Sequence, residues 1–426
     1  VSAWLLRGAT LVELDPPRVE QADLLIEGCR IVGRGVGLAA ESVVDGRRLV
    51  VMPGLVNAHT HLYSALARGL PAPAVEDFGQ ALERIWWPLD RSLDHDGVAH
   101  SALVGVAEAA LAGTTTLIDH HASPSAIAGS LDAVAAAYRR VGIRGALCYE
   151  VTDRNGPAGA AAGIDETLRG DPSHARHVEG LPVLVGLHAS FTLEEHTLQV
   201  LAEGPSIPLH VHVAEGAGDV EDARRRGYRG VLHRLDHHCL LRPGSVLAHG
   251  VHLDHDEVAL AQQRGCWLVH NPASNRNNRV GYAHPGRFGE RVALGTDGIG
   301  SDMLAAFREA FLAAREHQHD LDLLALWNGG HRLASTMLGE RLGTLQPGAA
   351  ADFIALDHHA PTPLTADNVV GHLLFGFTAA QVRHVWCRGE PVVRDRRLCG
   401  VDWADVAHDA RVAARALWER YESELA

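Results

Sequence analysis

Short apolar runs end in polar clusters at eight places along this chain. Leu49–Leu55 precedes Asn57-Ala58-His59-Thr60-His61, Thr114–Ile118 precedes Asp119-His120-His121, Arg144–Tyr149 precedes Glu150, and Val183–Leu187 precedes His188. Pro208–Val211 leads into His212-Val213-Ala214-Glu215, Ser245–Ala248 into His249, Cys266–Val269 into His270-Asn271, and Val292–Thr296 into Asp297. Between them, Ala102–Leu111, Leu131–Val141, Glu194–Leu201, Val220–Leu235, Asp256–Arg264 and Met303–His317 carry apolar residues at helical spacing. Strand alternating with helix eight times predicts a (β/α)8 TIM-type barrel of the α/β class. Such barrels place their chemistry at the carboxyl ends of the strands, so the polar clusters are the candidates.

The flanks read differently. Short β-like runs (Trp4–Leu6, Leu24–Ile26, Arg30–Val32) separated by Gly-containing turns fill the first fifty residues. β character returns in Gly343–Gly348, Ala351–Leu356, Val382–Cys387 and Glu390–Arg394, before an amphipathic helix from about Trp403 to Glu424. The expected organisation is a small β-sandwich built from residues 1–53 and 343–400, the barrel at 54–342, and a terminal helix at 401–426. The small-residue stretch Ala158–Gly163 is expected to be a flexible loop.

Composition narrows the class. The chain has 426 residues, 46% of them hydrophobic and 21% charged, enough for a sizeable core. Acidic residues outnumber basic ones by 52 to 38, and the net charge of −14 argues against nucleic acid or an anionic membrane as partner. No apolar run approaches the roughly 20 residues that a spanning helix needs. Val1–Leu14 lacks a signal-peptide layout, and the six cysteines show no Cys-x-x-Cys spacing, so a cytoplasmic protein with reduced thiols is expected. Every basic residue is an arginine; without lysine, Schiff-base chemistry and the phosphate-loop lysine are excluded.

With 28 histidines, His-x-His alone is a weak signal, and His317-x-His319 reads as a solvated helix tail. His59-x-His61 differs because it closes a buried run, and residues two apart on a strand point to one face. His212 and Glu215 form a His-x-x-Glu unit; His210 shares the His212 face and competes with it as a structural histidine. Asp297, within Gly295-Thr296-Asp297-Gly298, completes the set, although Asp-Gly is also a common turn pair. Three histidines and an aspartate suit one divalent ion with a position left for water: zinc, with iron or manganese fitting the same donors.

These segments, together with Pro53-Gly54-Leu55-Val56 and Ala248-His249-Gly250, resemble those of the amidohydrolase superfamily. Within it, they are similar to the mononuclear branch of guanine, cytosine and S-adenosylhomocysteine deaminases and triazine chlorohydrolases. Trp86-Trp87-Pro88-Leu89-Asp90, Ile118–Pro124, Thr152-Asp153-Arg154-Asn155 and Gly295–Met303 look like SsnA-type aminohydrolases. The resemblance spans essentially the full chain. It departs at Ser301-Asp302, where this branch often carries Ser-Asn, which puts substrate contacts near the last strand in doubt. Leu187-His188-Ala189-Ser190 offers no lysine for carbamylation and no Glu or Cys in its place, so a single metal is expected.

The resemblance implies His59, His61, His212 and Asp297 as metal ligands. It also implies Asp297 as acceptor of the proton from a water on the ion, Glu215 as proton shuttle to ring nitrogen and leaving amine, and His249 as stabiliser of the attacking oxygen. His188 is expected to hydrogen-bond a substrate carbonyl, with His270, Arg154, Trp86 and Trp87 as further substrate contacts. Asp119, His120, His121 and Glu150 sit at strand ends with open roles, and Arg68 pairs either with an anionic substrate group or with an acidic neighbour. The expected activity is hydrolytic deamination of a nitrogen heterocycle such as a purine- or pterin-like ring. Chloride displacement or amide and ureido hydrolysis fit the same site. Outside enzymes, the alternatives are a non-catalytic binding or assembly relative and a histidine-rich metal store. A homodimer is a possible assembly.

Overall fold

Gly54 is the point at which the chain passes from one sheet into another. The run Leu49–Leu55 is two strands here, Val50–Pro53 and Leu55–Thr60. A Cβ on Gly54 would lie 2.2 Å from Thr115 Oγ1, so only glycine fits against that side chain. The computed structural model describes residues 3–169, 177–178 and 180–425; Val1, Ser2 and Ala426 of the expected end segments lie outside them.

Leu55–Thr60, Thr114–Asp119 and Arg144–Ala146 form one parallel array. Glu150–Val151, Val185–Ala189, Leu209–Val213, Val246–His249, Trp267–His270 and Val292–Leu294 form a second, in chain order. Single parallel bridges join the two arrays at both edges: Thr60 with Asp297, and His121 with Tyr149 and Leu147 with Val183. The longer of these strands are buried along their whole length, as expected where helices cover a parallel sheet. All of them run the same way, so their carboxyl ends share one face of the molecule.

The chain ends supply a nine-stranded sheet, in the order Arg397–Leu398, Glu390–Arg394, Val382–Cys387, Phe353–Leu356, Val50–Pro53, Ala3–Leu14, Pro17–Glu27 and Arg30–Gly35, with Ser42–Asp45 beside Ala3–Leu14. Residues 343–348 are not a strand. The Glu13 carboxylate accepts the Leu345 N–H and the Thr344 hydroxyl there, holding the segment as a turn. Trp403–Leu425 is the terminal helix.

Two helical expectations change. Val220–Leu235 is not one helix but two, Ala217–Arg225 and Val231–His237. Gly227 at φ +93° ends the first, and a Cβ on Gly230 would strike the Glu257 carboxylate, so the chain breaks between them. Ala158–Gly163 is no loop: it lies inside the helix Gly156–Leu168, with Pro157 in the first turn and alanines, the best helix formers, behind it. The six cysteines are unpaired. No helix among the described residues is long and apolar enough to cross a membrane.

Candidate active site

Three strand ends bring the four predicted ligands together. His59 ends its strand facing inward, and its carbonyl accepts the N–H groups of Thr296 (3.1 Å) and Asp297 (3.0 Å), which seats Asp297 beside it. Asp297, His249 and Ala214 have φ of +53°, +77° and +47°, left-handed conformations that non-glycine residues rarely adopt. Strain at three strand ends around one site is typical where side chains must be aimed.

Outer hydrogen bonds fix the ring tautomers. His61 Nδ1 donates to the His120 carbonyl at 2.7 Å and His212 Nδ1 to the His188 carbonyl at 2.6 Å. His59 Nδ1 faces His210 Nε2 at 2.8 Å, and His210 turns its own Nδ1 to Cys148 Sγ. Each ligand candidate therefore presents Nε2 inward with its lone pair free. His61 Nε2 lies 3.1 Å from His212 Nε2 and 3.0 Å from Asp297 Oδ1, which is itself 3.5 Å from His59 Nε2. His59 Nε2 and His249 Nε2 are buried without any hydrogen-bond partner. Converging lone pairs, a carboxylate and unpartnered buried nitrogens fit a divalent cation, and the fixed second nitrogens are the usual support of histidine ligands. His59, His61 and His212 form one candidate ligand group, and His59, His249 and Asp297 an overlapping one.

The electrostatics keep two of the three rings neutral and favour a proton on the third. Burial pushes His59 down to about 3 and His212 well below the usual imidazole range. At His61, burial is opposed by the hydrogen bond and charge of Asp297, and the ring is raised to about 9. Asp297 is buried too, but its bonds to His59 and His61 hold it well below the ordinary carboxylate range. Ser274 Oγ donates to its other oxygen.

His61, His212 and Asp297 form the floor of a cavity of about 580 Å³, a size usual for small-molecule sites. Its walls include Tyr63, Phe78, Trp86, Trp87, His188, Phe191 and Glu215. Glu215 stands between Asn278, which donates to Oε1 at 3.1 Å, and His249 Nε2, 3.6 Å from Oε2. Burial raises its carboxyl above the ordinary range. His249 is oriented by Asn275 at 2.8 Å.

Two expected substrate contacts do not line the cavity. Arg154 Nη2 donates to Asp90 (2.8 Å) and Glu150 (2.9 Å), and its guanidinium lies over the Trp87 ring. His270 is buried, its ring 6.0 Å from that of Tyr282, with both nitrogens unpartnered. Arg68 pairs with Glu108 at 2.8 and 2.7 Å on the surface. Asp302, at the departure from the family pattern, caps the helix Met303–Glu316 through the Ala305 N–H. Asp119 accepts the Leu62 N–H at 2.8 Å, and burial pushes its carboxyl up to about 7. His121 faces Ser123 Oγ, and His120 Nε2 donates to the Leu187 and His210 carbonyls.

His188 has a tautomer of its own. Thr192 Oγ1 donates to the Ala189 carbonyl, so it accepts from His188 Nδ1 at 2.9 Å. Nε2 remains as an acceptor on a residue of the cavity wall, so His188 suits a substrate N–H better than the expected carbonyl. Phe78, Phe191, Asn278 and Asp219 carried no sequence signal, since none belongs to a motif.

The chain belongs to the amidohydrolase family, whose description matches residues 50–392. It is 30% identical over 392 residues to a 5'-deoxyadenosine deaminase of Methanopyrus kandleri, covering 87% of this chain and 88% of that one. Solved structures share its fold. An adenosine deaminase from Xanthomonas campestris with bound zinc has a TM-score of 0.83 at 24% identity, covering 97% and 98% of the two chains. The atrazine chlorohydrolase of Arthrobacter aurescens TC1, complexed with zinc, has a TM-score of 0.82 at 22% identity, covering 96% and 100%.

Proposed function

We propose that this protein is a metal-dependent hydrolytic deaminase that replaces an exocyclic amino group of a planar nitrogen heterocycle, purine- or pterin-like in size, with oxygen and releases ammonia. The observation that carries this reading is the convergence of three imidazole Nε2 atoms and Asp297 beneath a cavity in which Glu215 stands ready to move protons. His59, His61, His212 and Asp297 would hold one cation, zinc first, as in the zinc-bound neighbours. Such a cation lowers the pKa of a bound water from 15.7 to about 7.

The chain's own groups do the rest. Asp297, with one oxygen toward the histidines and the other held by Ser274, receives the proton of the attacking water. Glu215, buried and held by Asn278, passes a proton to the ring nitrogen and then to the departing amine. His249 lies within 3.8 Å of Asp297 Oδ2 and 3.6 Å of Glu215 Oε2, close enough to stabilise the oxygen as it adds. Trp86, Trp87 and Phe191 give a flat ring a surface to lie against and keep water out.

The proposal extends to the architecture: residues 54–342 as a closed (β/α)8 barrel, with 1–53 and 343–400 as a small β domain beside it. The bridges at both array edges support the closure. A cytoplasmic location is part of the same reading, in keeping with six unpaired cysteines. Displacement of chloride is the second reading, favoured by the likeness to the atrazine chlorohydrolase. Zinc-reconstituted protein incubated with amino- and chloro-substituted purines, pterins, pyrimidines and triazines separates the two. Ammonia from amino compounds supports deamination, chloride alone supports the second reading, and neither product rejects both.

A further inference from the structure

The helical segment from Phe78 to Arg91 supplies one wall of the cavity through Phe78, Leu82, Glu83, Trp86 and Trp87, and it is not a regular α-helix. Between Leu82 and Trp86 it widens to a π turn, in which the Trp87 N–H returns to the Leu82 carbonyl five residues back. Pro88 stands four residues after Arg84 and has no N–H, so the usual helical donor for the Arg84 carbonyl is missing. A carbonyl inside the fold needs a partner from elsewhere. It receives one from the far end of the chain: the Tyr421 hydroxyl donates to it at 2.9 Å, across 337 positions. Tyr421 belongs to the helix Trp403–Leu425, whose stripe Val406, Ala410, Leu417 and Tyr421 is buried. The same helix grips both flanks of the wall. Trp418 Nε1 donates to the Leu66 carbonyl at 2.9 Å, in the turn that follows His61. Arg420 Nε donates to the Ser92 carbonyl at 2.7 Å, and Arg91 Nε to Glu424 at 2.9 Å.

We infer that Tyr421 is a positioning residue for the aromatic wall: its hydroxyl stands in for the N–H that Pro88 lacks, holds the π turn, and so sets where Trp86 and Trp87 meet a flat ring. Both indoles lie on the turn that begins beside Arg84, so a change of its register moves them together. The terminal helix is thereby part of the working site, although none of its residues lines the cavity. The inference rests on the reading that this cavity takes a planar heterocycle, not on which group leaves it.

Amide hydrogen exchange of the zinc-loaded full chain, beside adenosine titration by tryptophan fluorescence, tests this. Tyr421→Phe removes only the hydroxyl. The amides of 82–91 should then exchange about tenfold faster, as loss of the donor to a buried carbonyl implies, while 403–425 and the strands 185–189 and 209–213 keep their protection. Adenosine should bind about fivefold more weakly at unchanged zinc content. Pro88→Ala restores an N–H within the helix, so Tyr421→Phe added to it should change either quantity less than about twofold. Unchanged exchange at 82–91, faster exchange spread over 403–425 and the strands, or equal acceleration in both backgrounds overturns the inference. The expected exchange pattern in a protein that binds no adenosine would sustain the positioning role and reject adenosine as the flat ring.

Discussion

His61 and His212 meet nitrogen to nitrogen, their Nε2 atoms 3.1 Å apart, and each has already committed its Nδ1 proton to a backbone carbonyl. Two facing lone pairs repel unless something positive lies between or beside them. A proton held at His61 and shared with Asp297 meets part of that need; a divalent cation, touching His59 as well, meets all of it. Zinc should therefore stabilise the fold, by about 2.7 kcal/mol at a free concentration 100 times its dissociation constant. Thermal unfolding with and without chelator, beside elemental analysis, measures this. His61→Ala and His212→Ala should each lose both the bound metal and the stabilisation. Full zinc content in either variant would move the site elsewhere.

Glu215 stands apart from the ligands in the same cavity. Its Oε1 accepts from Asn278, and its Oε2 is 3.6 Å from His249, with no ligand nitrogen closer among the described pairs. Glu215→Gln keeps the shape and removes the proton. It should retain zinc and lower kcat by about 10²–10⁴-fold or more, the range that a positioned acid–base group supplies. Single-turnover ammonia release at matched zinc content is the measurement, and near-normal turnover would falsify the shuttle role.

Asp219 supports the Glu215 loop from below, accepting the Ala214 N–H at 2.8 Å and the Phe191 N–H at 3.1 Å. Burial nevertheless pushes its carboxyl up from 3.8 to about 7. The folded state then holds the proton more tightly than the unfolded chain does. Its stabilising contribution is full below about pH 4, falls as pH rises, and is lost above about 7. The stability difference between wild type and Asp219→Asn should shrink across that interval and level off above it. Urea midpoints at half-unit pH steps test this; a difference that stays flat from pH 4 to 7 rules out the shifted carboxyl. Buried carboxyls away from this loop, such as Asp119, titrate in both proteins and cancel in the difference.

Much of this was legible in the chain because strand ends announce themselves: an apolar run has to stop where it meets the cavity, and the first polar residues after it belong to the site. That logic reaches His59, His61, His212, Glu215, His249 and Asp297. It fails where a partner is remote, as with Arg154, whose claim by Asp90 comes from 64 positions away. It also fails where spacing continues through a break. Val220, Ala223, Val231 and Leu235 keep helical register across Gly227 and Gly230, so only the backbone at those glycines reveals two helices. In Ala158–Gly163 small size reads as looseness, yet Gly163 is small because Tyr149 lies against it, within 3.0 Å of where a Cβ would sit.

Arg144 shows how the end-built sheet is tied to the inner strands. Its guanidinium is fully buried and reaches Asp352 through Nη2 at 2.9 Å and Nε at 2.8 Å, while Asp352 also accepts the Arg388 N–H at 2.7 Å. Arg144 opens an inner strand; Asp352 immediately precedes Phe353–Leu356, which pairs with Val50–Pro53 just before the chain crosses at Gly54. Removing the cation alone leaves the buried Asp352 carboxylate without its partner, beside Glu340, which also pairs with Arg144 at 3.2 Å. Arg144→Met should therefore cost about 3–5 kcal/mol, the usual penalty for orphaning one member of a buried pair. Asp352→Asn added to Arg144→Met removes the fully buried one of the two carboxylates and should recover part of that loss, a coupling of about 0.5–3 kcal/mol. Denaturant unfolding of the two single variants and the double variant gives the cycle. If the double variant loses the sum of the two single costs, Arg144 and Asp352 act independently and the tie between the sheets lies in the Gly54 crossing instead.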